Sequence, residues 1–184
     1  MSDDRTTRFA VVAGDTVAAR APGWRLPVVI ILDRLRSAFN VGNIFRLAEA
    51  TGVEKIVTCG YTATPPHEKL QKTARGCDAL VPCEHADTAA AAVAACKAAG
   101  YTVYAVETVA GAAPVWTAEL RFPLAFVLGN EALGVAPDTL ALCDAAVALP
   151  CFGTKNSVNV GNCAAVVLYA AVARWQAQGG TGCS

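Results

Sequence analysis

The chain has 184 residues, 54% of them hydrophobic and 16% charged, and its 15 cationic and 15 anionic side chains cancel. That length fits one domain better than two, and the composition excludes a chain that is disordered throughout. Zero net charge argues against polyanion binding by bulk attraction, and no apolar run is long enough to span a bilayer.

Residues 1–24 hold Pro22, Gly23 and few periodic positions, and read as an N-terminal arm or irregular lead-in. Met1 to Arg8 is charged with no signal-type apolar stretch behind it, so the expected location is cytoplasmic. Val28 to Leu32 is a continuous, β-branched-rich run, as expected of a strand buried on both faces. Asn40 to Thr51 reads as a helix, with Asn40 as a good N-cap and Gly52 past its end. Lys55 to Cys59 is a second short buried strand, and Pro65 and Pro66 mark a loop before a short helix near Glu68 to Arg75. Ala79 to Cys83 looks like a strand, and Asp87 caps an Ala-rich helix ending near Gly100. Tyr101 to Val106 and Pro123 to Leu128 are two more strands. Pro137 opens a helix to about Cys143, Ala145 to Leu149 is strand-like, and Val160 to Gln176 is a long apolar helix. Residues 177–184 are expected to be a disordered tail. Strands alternating with helices imply an α/β fold over residues 25–176, with a mostly parallel sheet covered on both faces.

Eight cysteines stand in the chain, none in a CxxC pair, beside only two histidines, His67 and His85. Cys83 and His85 are the one close pair, alternating along a strand-like run. The spacing is wrong for zinc, so these are read as reduced, mostly buried thiols, with no metal expected. Arg25, Arg34, Arg36, Arg46, Lys55, Lys69, Lys72 and Arg75 fall in one stretch, opposed there by Asp33, Glu49, Glu54 and Glu68. That stretch is either a basic face on a neutral body or a solvated surface.

Three segments carry polar residues at the C-terminal ends of strands, where open α/β sheets place ligands. The first, Asn40-Val-Gly-Asn-Ile-Phe-Arg46, is a polar, glycine-containing turn opening a helix, with N–H groups free to meet an anion. In it Asn40 is a cap or a ligand contact, and Arg46 is a functional cation or half of an ion pair with Glu49 or Glu131. The second, Leu128-Gly-Asn-Glu-Ala-Leu-Gly134, follows an apolar strand; Gly129 permits a tight turn or a close ligand approach. The third, Leu149-Pro-Cys-Phe-Gly-Thr-Lys-Asn-Ser-Val-Asn159, separates two very apolar segments, and Ser157 or Asn159 either caps the next helix or meets a ligand. There is no GxGxxG and no P-loop, which disfavours a dehydrogenase-type dinucleotide site.

In this order and spacing the three segments resemble the three motifs of the SpoU/TrmH family of the SPOUT superfamily, over roughly residues 27–176. The resemblance implies a single-domain α/β knot, with a deep C-terminal trefoil built from about Val103 to Asn159. It implies S-adenosylmethionine as cofactor, held at Val106, Leu128, Gly129, Leu149, Ser157 and Val158, and transfer of its methyl group to a ribose 2′-hydroxyl of RNA. The positions matching the family's catalytic set are Asn40, Arg46, Glu131, Ser157 and Asn159. By that reading Arg46 lies at the pocket lined by Gly129, Leu149 and Ser157, holding the phosphate beside the acceptor. An arginine stays protonated and is a poor base. Glu131 is expected to orient Arg46 or Asn40. The resemblance further implies a homodimer, with Val160 to Gln176 either its contact or one broad core-facing stripe. It favours tRNA over ribosomal RNA as substrate, because about 25 residues precede the matched region and a compact dimer suits a bent tRNA. A cofactor- and RNA-binding module without catalysis is the alternative.

Overall fold

The computed structural model describes residues 25–180; the arm expected over 1–24 and residues 181–184 of the expected tail lie outside it. Seven strands form one sheet: β1 (Leu26–Asp33), β2 (Val53–Cys59), β3 (Cys83–Ala86), β4 (Thr102–Val106), β5 (Ala113–Pro114), β6 (Leu124–Leu128) and β7 (Ala145–Ala148). Their order is β3-β2-β1-β6-β4-β7-β5, and every pairing is parallel. The run Val28 to Leu32 lies between β2 and β6 with both faces covered, as a non-alternating apolar strand must.

Five helices cover the sheet: α1 (Ala38–Thr51), α2 (Glu68–Ala74), α3 (Ala89–Ala98), α4 (Pro137–Leu142) and α5 (Val160–Ala177). Alternate residues of β1 sort into two cores. Val28, Ile30 and Leu32 pack with α1, α2 and α5 on one face, and Val29 and Ile31 pack with α3 and α4 on the other. Ile44, Phe45 and Ala48 turn inward from α1, and Gly52 ends that helix at φ 70, a left-handed conformation glycine adopts at little cost.

Several local expectations are corrected. The N-cap of α1 is Ser37, at φ −98 and ψ 106, whose side chain accepts the Asn40 N–H. Asn40 therefore sits in the first turn with its side chain released for other partners. Gly42 is inside α1 and not in an opening turn; a Cβ there would collide with Thr73, Leu70 and Ala74, so the glycine lets α2 approach. Thr88, not Asp87, caps α3. Ala79 to Cys83 is not a strand: a 3₁₀ turn spans Cys77–Ala79, and pairing with β2 begins at Cys83. The two-residue β5 had no readable pattern, being too short to show any period. Residues 177–180 are ordered, closing α5 with hydrogen bonds from Gln178, Gly179 and Gly180 back to its last turn.

Among the described residues no helix is long and apolar enough to cross a membrane. Nor does any group of three or more His, Cys, Asp and Glu side chains gather as a metal would require.

Candidate active site

β1, β6, β4 and β7 are neighbours in the sheet and their loops leave the same edge. Between the loops after β6, β4 and β7 lies a cavity of ≈ 580 Å³. Val106 and Glu107 reach it from the end of β4, and Leu128 to Val135 from the end of β6. Leu149, Ser157, Val158 and Asn159 reach it from the segment after β7. Every position expected to hold a cofactor thus lines one cavity. Gly129 is needed there because a Cβ would strike the backbone of Gly134 and Val135. Burial pushes the Cys163 thiol up to about 11, with Glu107 and Cys151 adding to the effect, so the wall carries no thiolate at neutral pH.

The segment after β6 is a closed loop. Asn130 and Gly134 exchange backbone hydrogen bonds of 3.0 and 2.8 Å. Asn130 is buried, and its side chain uses its whole capacity. Its Oδ1 accepts the N–H groups of Ala132 (2.9 Å) and Leu133 (3.0 Å), and its Nδ2 donates to the Arg34 carbonyl (2.7 Å) and the Tyr61 hydroxyl (2.8 Å). Glu107 supports the loop from the other side, accepting the Val135 N–H at 2.9 Å. Neither residue was singled out from sequence. Asn130 lay within the second motif, but its partners are scattered through the chain, and nothing marked Glu107.

Glu131 joins this loop to the one after β1. Its carboxylate accepts the backbone N–H groups of Arg36 (2.8 Å) and Ser37 (3.1 Å) and the side-chain amide of Asn40 (3.0 Å). Partial burial pushes its pKa up. The hydrogen bonds from Arg36, Asn40 and Ser37 outweigh that, and the net shift is downward. Asn159 closes the triangle: its Nδ2 donates to Asn40 Oδ1 at 3.3 Å, while its own Oδ1 caps α5 by accepting the N–H groups of Gly161 (2.9 Å) and Asn162 (3.3 Å). Asn159 is therefore the cap of α5, and Ser157 is not.

The loop after β1 is held in an unusual conformation. Arg34 adopts φ 54, uncommon for a residue with a side chain. Its guanidinium grips the buried carboxylate of Asp33 through Nε at 2.9 Å and Nη2 at 3.3 Å, while Asp33 also accepts the Ala136 N–H at 3.0 Å.

Arg46 departs from expectation. It is exposed, does not line the cavity, and is not paired with Glu131. Its place follows from helix geometry: Asn40, Asn43 and Arg46 lie on one i, i+3 row of α1, which slants around the cylinder and away from the cavity. The Asn43 amide lies against Gly161, beside Asn159. From Asn40 to Arg46 the axial rise is about 9 Å.

The model of the SpoU rRNA Methylase family matches residues 27–169. An uncharacterized tRNA/rRNA methyltransferase of Synechocystis is 31% identical over 162 residues, which is 85% of this chain and 40% of that protein. The 23S rRNA (uridine(2479)-2′-O)-methyltransferase of Streptomyces viridochromogenes is 29% identical over 147 residues, 78% of this chain and 51% of that protein. The chain thus spans about half the length, or less, of these relatives. A crystal structure of the SpoU methyltransferase AviRb from Streptomyces viridochromogenes, in complex with the cofactor AdoMet, superposes with a TM-score of 0.72 at 27% identity, covering 79% of this chain and 57% of that one.

Proposed function

The chain belongs to the SpoU rRNA methylase family, and from that membership we propose that it methylates a ribose 2′-hydroxyl of RNA using S-adenosylmethionine. The observation that carries the reading is one cavity lined by the second and third motif segments, with Asn40 of the first hydrogen-bonded to Glu131 and Asn159 on its lining. The cavity of ≈ 580 Å³ is of the size small-molecule cofactors occupy. Val106, Leu128, Gly129, Leu149, Ser157 and Val158 would hold the cofactor. Most are apolar or small, which suits contact through backbone atoms. When bound, S-adenosylmethionine supplies an electrophilic methyl group.

The protein's own residues orient the acceptor and stabilise charge. Asn40 uses one amide hydrogen on Glu131, so its second is free for the acceptor ribose. Glu131, acidified and occupied by three donors, is a poor base and acts as the brace that fixes Asn40. Arg46 holds a phosphate of the RNA strand beside the acceptor nucleotide. Its distance along α1 requires the RNA strand to cross that helix from Asn40 outward. No group on the wall is a strong base, so the hydroxyl proton passes to water.

The working unit is proposed to be a homodimer. α5 leaves Val166 and Tyr169 exposed, which favours its outer face as the contact. The segment from about Val103 to Asn159 is proposed to form the trefoil knot of the family. tRNA is proposed as the favoured substrate because a compact homodimer suits a bent tRNA, while the relatives are named for both RNA classes. Calorimetric titration with S-adenosylmethionine, followed by tritiated-methyl transfer to purified tRNA and to ribosomal RNA, tests the reading. Failure to bind the cofactor overturns it, and binding without transfer to either RNA leaves the non-catalytic module.

A further inference from the structure

A second cleft, of ≈ 570 Å³, opens on the other side of the Arg34–Ser37 loop. Its lining includes Arg36, Phe39, Tyr61, His67 and Lys69, and no carboxylate. Two features set it apart from ordinary surface. First, it displays aromatic rings to solvent: Phe39 is 53% and Tyr61 61% exposed. Second, its cations are unspent. Within the same stretch of sequence Arg34, Lys55 and Lys72 are paired with Asp33, Glu84 and Glu68, whereas among the described residues Arg36 and Lys69 make no ion pair.

The cleft is also wired to the cofactor cavity. The Tyr61 hydroxyl is held by Asn130 at 2.8 Å, and Asn130 lines that cavity. Arg36 offers its backbone N–H to Glu131, which lines it too. Across the sheet the order is fixed: Tyr61 follows β2, Arg36 follows β1, and Asn130 and Glu131 follow β6. With strands about 4.8 Å apart, the two clefts stand roughly 10 Å from each other, with Asn40 and Glu131 between them.

Exposed aromatic rings interleaved with unpaired cations are what single-stranded nucleic acid requires, since bases stack on the rings and phosphates meet the cations. We propose that this cleft is a nucleotide subsite: it takes an unpaired RNA nucleotide adjacent to the methylated one, its base on Tyr61 and Phe39 and its phosphate against Arg36 and Lys69. This rests on the methyltransferase reading and extends it, because it makes the substrate single-stranded around the acceptor. A duplex keeps its bases stacked on one another and cannot offer one to the rings.

The test is fluorescence anisotropy of the full chain, saturated with S-adenosylmethionine, against a short mixed-sequence oligoribonucleotide. The oligonucleotide is presented single-stranded and annealed to its complement. Tyr61→Leu is expected to weaken single-strand binding about tenfold and leave duplex binding unchanged. Tyr61→Phe, which keeps the ring, should stay within about twofold of wild type. Lys69→Ala should reduce the slope of log affinity against log salt by about 0.7. Calorimetry should give an unaltered cofactor affinity in Lys69→Ala and one common affinity in Tyr61→Leu and Tyr61→Phe, which both lose the hydroxyl on Asn130. The subsite is overturned if wild type does not bind the single strand, or if Tyr61→Leu loses nothing or loses equally on the duplex. Methyl transfer separates the two readings. Tyr61-dependent binding without any transfer removes the enzyme assignment and leaves the subsite. Transfer with a KM for RNA unmoved in Tyr61→Leu removes the subsite and leaves the enzyme.

Discussion

The carboxylate of Glu131 holds the side-chain amide of Asn40 at 3.0 Å across 91 residues of sequence, and the same carboxylate takes the backbone N–H groups of Arg36 and Ser37. One side chain thereby fixes the height of the loop after β1 against the loop after β6. Glu131→Gln keeps the shape but replaces one acceptor oxygen by a donor facing an N–H. We expect methyl transfer to fall about a hundredfold, in line with loss of one oriented group at a reacting centre, with stability lowered by about 1 kcal/mol. Single-turnover transfer beside urea unfolding checks it, and equal transfer by the variant would remove Glu131 from the positioning role.

Acid should loosen the same junction. The folded-state pKa of Glu131 is lowered, as is that of Asp144, which accepts from Lys97 and from the Val103 N–H. A carboxyl group with a depressed folded pKa adds stability at and above its ordinary range, and that contribution fades as pH falls toward the depressed value. Thermal melting should therefore be flat from neutral pH down to the ordinary carboxylate range and drop below it. Asp144→Asn should melt lower at neutral pH and show a shallower acid drop. A variant that parallels wild type at every pH would count against this linkage.

Gly129 has no room for a methyl group, because the backbone of Gly134 and Val135 lies where the Cβ would go. Gly129→Ala must push that loop away from the cavity. Calorimetry should show cofactor binding weakened at least about tenfold, since one displaced ångström at a closely packed ligand wall is costly. Unchanged affinity would mean that the loop does not touch the ligand.

Asn130→Ala leaves the N–H groups of Ala132 and Leu133 and the carbonyl of Arg34 without their partner. Orphaned groups near a buried position cost about 1–3 kcal/mol each when water cannot reach them. We expect about 2 kcal/mol lost in denaturant unfolding, because part of the loop is exposed. Asn130→Asp should do no better, since it keeps the acceptor but loses both donors.

Arg46 stands outside the cavity on the outer row of α1. The expected signature of Arg46→Lys is therefore a split: cofactor affinity unchanged, and single-turnover transfer reduced about a hundredfold, since lysine lacks the bidentate fork for phosphate. A matching loss of cofactor binding would contradict its placement.

The strand pattern and the three polar segments were legible because they depend on local chemistry. Val28 to Leu32 has no polar position to show to water, and Gly52 follows the last apolar turn of α1. Capping was harder to read, because a cap is chosen by backbone angles and not only by residue type. Asn40 and Ser37 both suit the position, and Ser37 has the extended conformation. Gly42 looked like part of a ligand turn, and only the packing of α2 shows what its missing side chain is for. Arg46 was placed at the cavity on the strength of its motif. Its slant along the i, i+3 row follows from the helical turn itself, which carries Arg46 around the cylinder from Asn40. Glu107 and Asn130 act through partners 28 and up to 96 residues away, and no window of sequence joins those groups.

The strand order has an implication for how such a protein diversifies. Residues lining the first cavity spring from β6, β4 and β7, while β2 and β3, with the chain between them, build the opposite flank. Exchanges along residues 63–69 would remodel the second cleft without touching any residue that lines the first cavity. New specificities can accumulate on one wing of the sheet while the cavity on the other is inherited intact.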